Sequence, residues 1–598
     1  MFRKLTSVLD LKDKCTDFFG ADLRSLAALR VSMAVLIIVD LLRRSQDLTA
    51  HYTDFGVLPR TELLQDSSRW RISLHLANGT WEFQALLFVI AGILALALFV
   101  GYRTRLATIG SWFLLASLHS RNPVILDGGD VLLRVILFWG MFLPWGTYWS
   151  VDRALNSREI ALPRRTLSAA TFAYVSQIVL MYWFSAMLKT GVEWLPEGTA
   201  IYYALQFDQM VTPFAQYLLS FPSLLSTLTY SVYWFEFFGP LLLFSPVLTG
   251  PIRTFAILCF FLLHFGIGIC LNIGIFTWVA PLAMLGLLPS WFWDKMILQT
   301  GTVPKIHIYY DGDCSRCFTS VRLLQTFLLL RGAVVSPAQG EASIKDDMRA
   351  HNSWVVIDHQ GTRHFKFHAI LALAEQSSWM WPLVPLLKMP SLCRIGNGVY
   401  RFLAIRRGKA CPVNEVPAHT AIEPVSVGAF MNIIVLLLFA YVIFWNLTTV
   451  PNTRFKLSER SRSVGEILRL DQVWNMFAPY PPKYDGWYVI SGRLKSGEIV
   501  DVFRDGEDLN WGKPSSVAGL FPSYRWWKYL FTTWNKGPGN AWLDYASYLC
   551  RSWKGGHGQA KALEELQIIY VLEATLPNYQ IGQHQRIPLF DHRCETPR

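Results

Sequence analysis

Long apolar runs dominate the first half of the chain and return once near its end, and no other feature restricts the fold as strongly. They lie at Leu23 to Leu42, Phe83 to Val100, Leu106 to Leu118, Val131 to Trp149, Ala169 to Leu188 and Leu224 to Phe244. A longer one follows from Ile252 to Leu288, and one stands alone from Val427 to Trp445. A helix needs about 20 residues to cross a bilayer. The 37 residues from Ile252 to Leu288 exceed one crossing, and Asn272 and Gly274 in their middle divide them into two short helices. That predicts eight spanning helices before residue 300 and a ninth after residue 425. Charged residues make up only 16% of the chain, against about 25% in soluble domains. The apolar runs therefore face lipid rather than fill an oversized core.

The net charge is +12 over 598 residues. The basic residues sit in short loops and form no clustered stripe, which argues against nucleic acid as a partner. Their placement follows the positive-inside bias instead. With the N-terminus inside, inside loops hold eleven basic residues, including Arg3, Lys4, Lys12, Arg103, Arg105, Arg158 and Arg253. Outside loops hold seven: Arg43, Arg44, Arg60, Arg69, Arg71, Arg121 and Lys189. Residues 292 to 425 then lie inside and end on Arg401, Arg406, Arg407 and Lys409, and the last 150 residues lie outside. A single crossing by Ile252 to Leu288 would invert both. The N-terminus lacks a signal peptide's apolar core, so the first helix directs insertion. The expected location is a bacterial-type inner membrane, with residues 304 to 410 cytosolic and residues 451 to 598 periplasmic.

Between the eighth and ninth runs the pattern changes to α/β. Lys305 to Tyr310 reads as a strand and Cys314 to Leu330 as a helix. Ser353 to Ile357 and Thr362 to Phe367 read as a hairpin across Asp358-His359-Gln360-Gly361. Of nine cysteines, only those of Cys314-Ser315-Arg316-Cys317 have a motif spacing. That pair sits at the strand-to-helix junction, where free backbone N–H groups favour a thiolate. Arg316 adds positive charge. Cys314 is then the attacking sulfur, the more acidic and more exposed of the two. Cys317, one turn on, is the resolving sulfur. A zinc pair is the alternative, but it needs two more ligands. His351, His359, His364 and His368 match no finger spacing. A purely structural dithiol also stays open. The tail beyond Pro451 pairs Trp487 to Ile490 with Ile499 to Phe503 across a Lys495-Ser496-Gly497-Glu498 turn and reads as a small mixed domain.

Arg30, Asp40, His119, Arg134, Glu236 and His264 lie within or beside the apolar runs. Ionisable groups at membrane depth are costly and point to function by default. Some have structural explanations: Asp130 and Arg134 are spaced to pair on one helix face, and Arg30 and Asp40 are candidate buried partners. Glu236 and His264 sit near helix centres and are the stronger candidates. Lys189, with Glu193 and Trp194, closes the fifth helix and joins them as a candidate polar site.

Two resemblances follow from these residues. Asp311-Gly312-Asp313-Cys314-Ser315-Arg316-Cys317, with Val355-Val356-Ile357-Asp358, Ala369-Ile370 and Tyr400-Arg401-Phe402-Leu403-Ala404, resembles the DCC family of thiol–disulfide oxidoreductases. The family is named for its Asp-x-x-Cys-x-x-Cys motif, so the resemblance adds Asp311 to the site. It covers residues 304 to 410 and implies a thioredoxin-like fold. Residues 1 to 292 resemble the HTTM domain, the transmembrane core of the vitamin K-dependent γ-carboxylase superfamily. That likeness is carried by Leu26-Ala27-Ala28-Leu29-Arg30, Tyr52 to Pro59, Tyr148-Trp149-Ser150-Val151-Asp152, Phe184 to Lys189 with Glu193-Trp194, and His264 ten residues before Gly274. Thr190 stands where the carboxylases have the second lysine of a Lys-Lys pair, and Thr147 where they have a histidine. Glutamate carboxylation is therefore not expected.

The expected architecture is an α-helical polytopic membrane domain of about nine spans with an inserted thioredoxin-like α/β domain. A further helix over 426 to 449 and a small mixed α/β C-terminal domain over 451 to 598 complete it. The leading function is an integral membrane thiol–disulfide oxidoreductase that couples its dithiol to a membrane-embedded site. Its partners would be a protein or small-molecule disulfide or thiol and the bilayer. A lipid-soluble quinone is a candidate cofactor by analogy with the superfamily's vitamin K. The alternatives are a carboxylase-like enzyme of altered chemistry and a non-enzymatic membrane binding or immunity-type protein.

Overall fold

Helices form over the apolar runs. In the computed structural model α1 is Leu23–Gln46, α2 Trp81–Val100, α3 Thr104–Arg121, α4 Gly128–Gly140, α5 Ala169–Leu188, α6 Pro222–Phe238 and α7 Thr249–Cys270. α8, Phe276–Ala283, runs on through a 3-10 turn at Met284–Leu287. The structure describes all residues except 1–12, 67–69, 157–163, 297–305, 331–332, 378–379, 409–427, 538–539, 579 and 595–598. Arg3, Lys4, Lys12, Arg69, Arg158, Lys305 and Lys409 thus lie outside the described residues. The long run is broken where Asn272 and Gly274 predict, and Gly274 takes φ 69°, a left-handed conformation that costs glycine little. Among the described residues five helices are long and apolar enough to cross a membrane: α1, α2, α5, α7 and a last one, Ala429–Leu447. The run expected to reach Trp149 ends its helix at Gly140, so α4 has only 13 residues. It is buried along almost its whole length, and its partners are protein rather than lipid.

The inserted segment contains β1 His307–Tyr310, α9 Ser315–Phe327, β2 Val334–Pro337, β3 Val355–Ile357, β4 Arg363–Phe365, α10 Lys366–Glu375 and α11 Pro390–Gly408. The sheet order is β2-β1-β3-β4. β1 and β2 are parallel, and the other two pairings are antiparallel. The expected hairpin forms because Asp358 Oδ1 accepts from the backbone N–H groups of Gln360 and Thr362, both at 2.9 Å. After α12, Ala429–Leu447, come β5 Tyr484–Leu494, β6 Ile499–Asp501, α13 Tyr524–Lys536, α14 Asn540–His557, β7 Leu563–Leu576 and β8 Gln585–Arg593. β7 is central, antiparallel to both β5 and β8. A disulfide between Cys550 and Cys594, 44 residues apart, ties α14 to the end of β8. Neither cysteine has a motif spacing.

One apolar core runs from Leu26 through the membrane-type helices to Val571 of the C-terminal sheet. The dithiol segment keeps separate cores on the two faces of its sheet, around Ile308, Val321 and Val356 and around Ile344 and Val355. A buried ion network fastens the C-terminal segment to the helices. Arg44 Nε bonds Asp40 at 2.6 Å and its Nη2 bonds Asp130 at 2.5 Å. Arg525 of α13 reaches Asp130 Oδ1 at 2.8 Å and Asp40 Oδ1 at 3.1 Å.

The structure corrects two expected pairings. Asp130 pairs with those arginines, while Arg134 donates to the carbonyls of Arg469 at 2.9 Å and Asp471 at 2.7 Å. Arg30 does not pair with Asp40. It donates to the carbonyls of Leu98 at 3.0 Å and Trp149 at 2.5 Å. Helix ends leave carbonyls unsatisfied, and the Leu98 carbonyl in the last turn of α2 is one that takes the Arg30 guanidinium, while Arg134 also meets the Asp471 carboxylate at 3.3 Å.

The two appended parts touch different loops. Arg322 of α9 donates to the Asn156 carbonyl at 3.1 Å. The C-terminal segment instead contacts Asp47 through Ser523 Oγ at 2.8 Å, Val57 through Tyr529 at 3.3 Å and Gln209 through Trp527 at 2.9 Å.

Candidate functional site

The predicted site residues fall into two groups. The first is the dithiol. β1 delivers the chain to Asp311, and Cys314 takes the N-cap position of α9. Its carbonyl accepts from the backbone N–H groups of Cys317 at 3.0 Å and Phe318 at 3.3 Å. The loop between is clamped by Gln339, just beyond β2. Gln339 Oε1 accepts from Gly312 N at 2.9 Å, and its Nε2 donates to Asp311 Oδ1 at 2.8 Å and Asp313 Oδ2 at 3.1 Å. Asp311 also accepts from Asp313 N at 3.2 Å. Its carboxylate therefore orders the turn that presents Cys314. Arg316 is exposed on the first turn of α9.

Both sulfur-bearing residues are buried, Cys314 at 4% and Cys317 at 3% exposure. The expected difference in exposure, with Cys314 the more exposed, is thus only 4% against 3%. Cys314 is disulfide-bonded, and not to Cys317. A Cys317 thiolate attacking Cys314 Sγ forms the Cys314–Cys317 bond, breaks the bond Cys314 already has, and releases the other sulfur as a thiolate that takes up a proton.

The second group converges at the junction of the helices with the C-terminal segment. Lys189 bonds Glu236 directly and Ser185 Oγ at 2.9 Å, and its ammonium lies 4.9 Å from the Trp194 ring centroid. Trp194 Nε1 donates to the Phe477 carbonyl at 3.0 Å. His264 Nε2 and the Tyr182 hydroxyl are 2.8 Å apart, and His264 Nδ1 is buried without a hydrogen-bonding partner. Glu236, His264 and Tyr182 line a cavity of about 340 Å³. Glu193 is spaced into this group by sequence but turns away and pairs with Lys483, holding that lysine's ammonium above its ordinary pKa through the side-chain bond.

Residues that sequence reasoning missed close the cavity from the C-terminal side, notably Tyr524 and Lys528 of α13. Lys528 lies 5.4 Å from the Phe531 ring centroid, and burial pushes its pKa below the usual lysine range. No signal in the sequence could have found it, since it is more than 260 residues from His264. Among the described residues, no part of the dithiol segment lines this cavity. The dithiol and the membrane candidates are two sites.

No curated protein and no solved structure matches the chain. A family model does match its inserted segment, over the residues that carry β1, the clamped loop and the dithiol helix. Residues 308–411 match the model of the DCC1-like thiol-disulfide oxidoreductase family.

Proposed function

We propose that the protein is a membrane-anchored thiol–disulfide oxidoreductase whose dithiol works at one membrane face. The observation that carries this reading is the N-cap placement of Cys314 with Cys317 one turn on, inside the matched domain. The β2-β1-β3-β4 order with an antiparallel β3 supports a thioredoxin-like fold. Its substrate is a protein or small-molecule disulfide or thiol.

Three observations support cytosolic placement of the dithiol and periplasmic placement of residues 451 to 598. The dithiol domain contacts Asn156, in a loop assigned inside, and the C-terminal segment contacts Asp47, Val57 and Gln209, in loops assigned outside. The Cys550–Cys594 disulfide, which unlike the one at Cys314 belongs to no redox motif, suits an oxidising compartment. Three outside basic residues, Arg44, Arg121 and Lys189, are buried in bonds to protein, which strengthens the inward bias of the remaining loop charge. Reporter fusions at residues 410 and 452 check this. A periplasmically active reporter at 410 would refute it.

The HTTM-like reading is supported by the way its quoted stretches meet: Arg30 on the Trp149 carbonyl and Lys189 beside Trp194. In that reading the cavity takes a lipid-soluble molecule with hydrogen-bonding oxygens, a quinone being the candidate class. Coupling to the dithiol would pass through the helices, since the two sites do not touch. The test is a redox titration of the full-length protein in glutathione buffers, with extraction of co-purified lipids. Cys314 and Cys317 should respond to the buffer as one two-electron couple. Two independent thiols at every poise would sink the oxidoreductase reading. Lipid extracts free of quinone would sink the quinone assignment alone. Glu236→Gln should lower the yield of bound quinone without changing the titration midpoint.

A further inference from the structure

The cavity between the helices and the C-terminal segment carries two polar groups whose bonding the protein leaves incomplete. One is His264, on the helical wall. Its Nε2 lies 2.8 Å from the Tyr182 hydroxyl, and its Nδ1 is buried with no hydrogen-bonding partner. When Tyr182 donates to Nε2, Nδ1 carries the proton. The other is Lys528, part-buried on the second turn of α13 in the C-terminal wall. Among the described residues no carboxylate forms a salt bridge with its ammonium, which lies 5.9 Å from the Trp527 ring centroid and 5.4 Å from that of Phe531. An ammonium has three N–H donors, and holding a charge out of water is costly unless those donors are used.

The remaining ionic groups at the cavity have partners. Glu236 bonds Lys189. Asp127 caps α4 by accepting from Gly129 N at 2.6 Å and Asp130 N at 3.1 Å, and its other oxygen lies 3.5 Å from Arg525 Nη1. Asp127 and Asp130 favour the Lys528 ammonium from a distance, but burial outweighs them and lowers its pKa. Lys528 is thus the cation left for a ligand. Phe207, Leu263, Phe276 and Trp527 make the rest of the lining largely apolar and aromatic. A ring bearing two oxygens satisfies His264 Nδ1, Lys528 and these rings together.

We infer, on the quinone assignment proposed above, that the Lys528 ammonium donates a hydrogen bond to one oxygen of the ligand and His264 Nδ1–H to the other, so that the C-terminal segment completes the binding site. Lys528 is then a specificity residue. An apolar molecule of the same shape leaves its ammonium unpaired and is rejected for that reason.

The experiment titrates full-length protein in detergent, with co-purified lipid exchanged away, with decylubiquinone by calorimetry at graded pH. The titratable groups facing Lys528 are Asp127, Asp130, Tyr524 and Arg525, with Tyr182, Glu236, His264 and Tyr480 around the cavity, so the variants assign the pH limb. Wild-type affinity should fall as pH rises, at a pH below the ordinary lysine value of about 10.4, because the ammonium loses its proton. Lys528→Met should bind about tenfold more weakly at neutral pH and lack that limb. Lys528→Arg, which keeps its charge, should retain binding and carry the limb to higher pH. Lys528→Met with wild-type affinity and a wild-type pH profile would overturn the role of Lys528 and leave the quinone assignment standing. So would wild-type affinity unchanged up to about pH 10.4, a result that needs no variant to fold. Wild-type protein that binds no quinone would overturn both.

Discussion

Cys317→Ser in the full-length protein is expected to accumulate a mixed disulfide at Cys314, and Cys314→Ser to trap nothing. The asymmetry follows from position. Cys314 is the N-cap residue and becomes the attacking thiolate once the disulfide it holds is reduced, while Cys317 sits outside that bond on the next turn. Removing the second sulfur leaves an attack that cannot be resolved. Removing the first leaves no attack. The measurement is non-reducing mass spectrometry of the purified variants after acid quenching of the cells. Gln339→Ala supplies a graded case. It frees the clamp on Asp311, Gly312 and Asp313, so resolution should slow without being lost. Equal trapping by both cysteine variants would make the sulfurs interchangeable and the geometric argument wrong. No trapping by either would leave the dithiol structural, and a binding role for the protein would then lead.

Arg525→Ala is expected to cause the largest loss of stability of any single truncation outside the dithiol domain. It removes one of two cations that neutralise Asp40 and Asp130, both buried at 1% exposure or less. Breaking a buried ion pair from one side costs about 3–5 kcal/mol, because the charge left behind keeps its desolvation penalty. The loss should appear as a lowered thermal midpoint and as release of the C-terminal segment to protease, since Arg525 links α13 to α1 and α4. Asp40→Asn in the Arg525→Ala background should recover part of it, as removing the orphaned charge requires. A wild-type midpoint for Arg525→Ala would show that Arg44 alone suffices for both carboxylates.

Much of this protein was legible in the residues themselves. Apolar runs of about 20 residues admit few solutions in lipid, so α1, α2, α5, α7 and α12 could be placed from composition. Asn272 and Gly274 marked a real helix break. The turn chemistry of Asp358 to Gly361 and the spacing of Cys314 and Cys317 are local, and local geometry follows from neighbouring residues. The family match covers residues 308–411, which include both of these features.

Tertiary structure decided the rest, because it depends on partners far apart in the chain. An i, i+4 spacing permits Asp130 to meet Arg134, but a buried carboxylate takes the cations with the best reach, and those came from Arg44 and Arg525. The position of Lys189 at the end of the fifth helix made it a candidate, but only packing supplies Glu236 and Ser185 at its ammonium. Glu193 has the right spacing for the same group and leaves it for Lys483. Cys550 and Cys594 carry no motif, and only the packing of α14 against β8 brings them together. The cavity is the extreme case: its walls come from helices near residues 182, 236 and 264 and from α13 near residue 528. A one-dimensional pattern specifies which face of an element is apolar. It does not specify which other element will cover that face, and the polar chemistry of this cavity is set by that second choice.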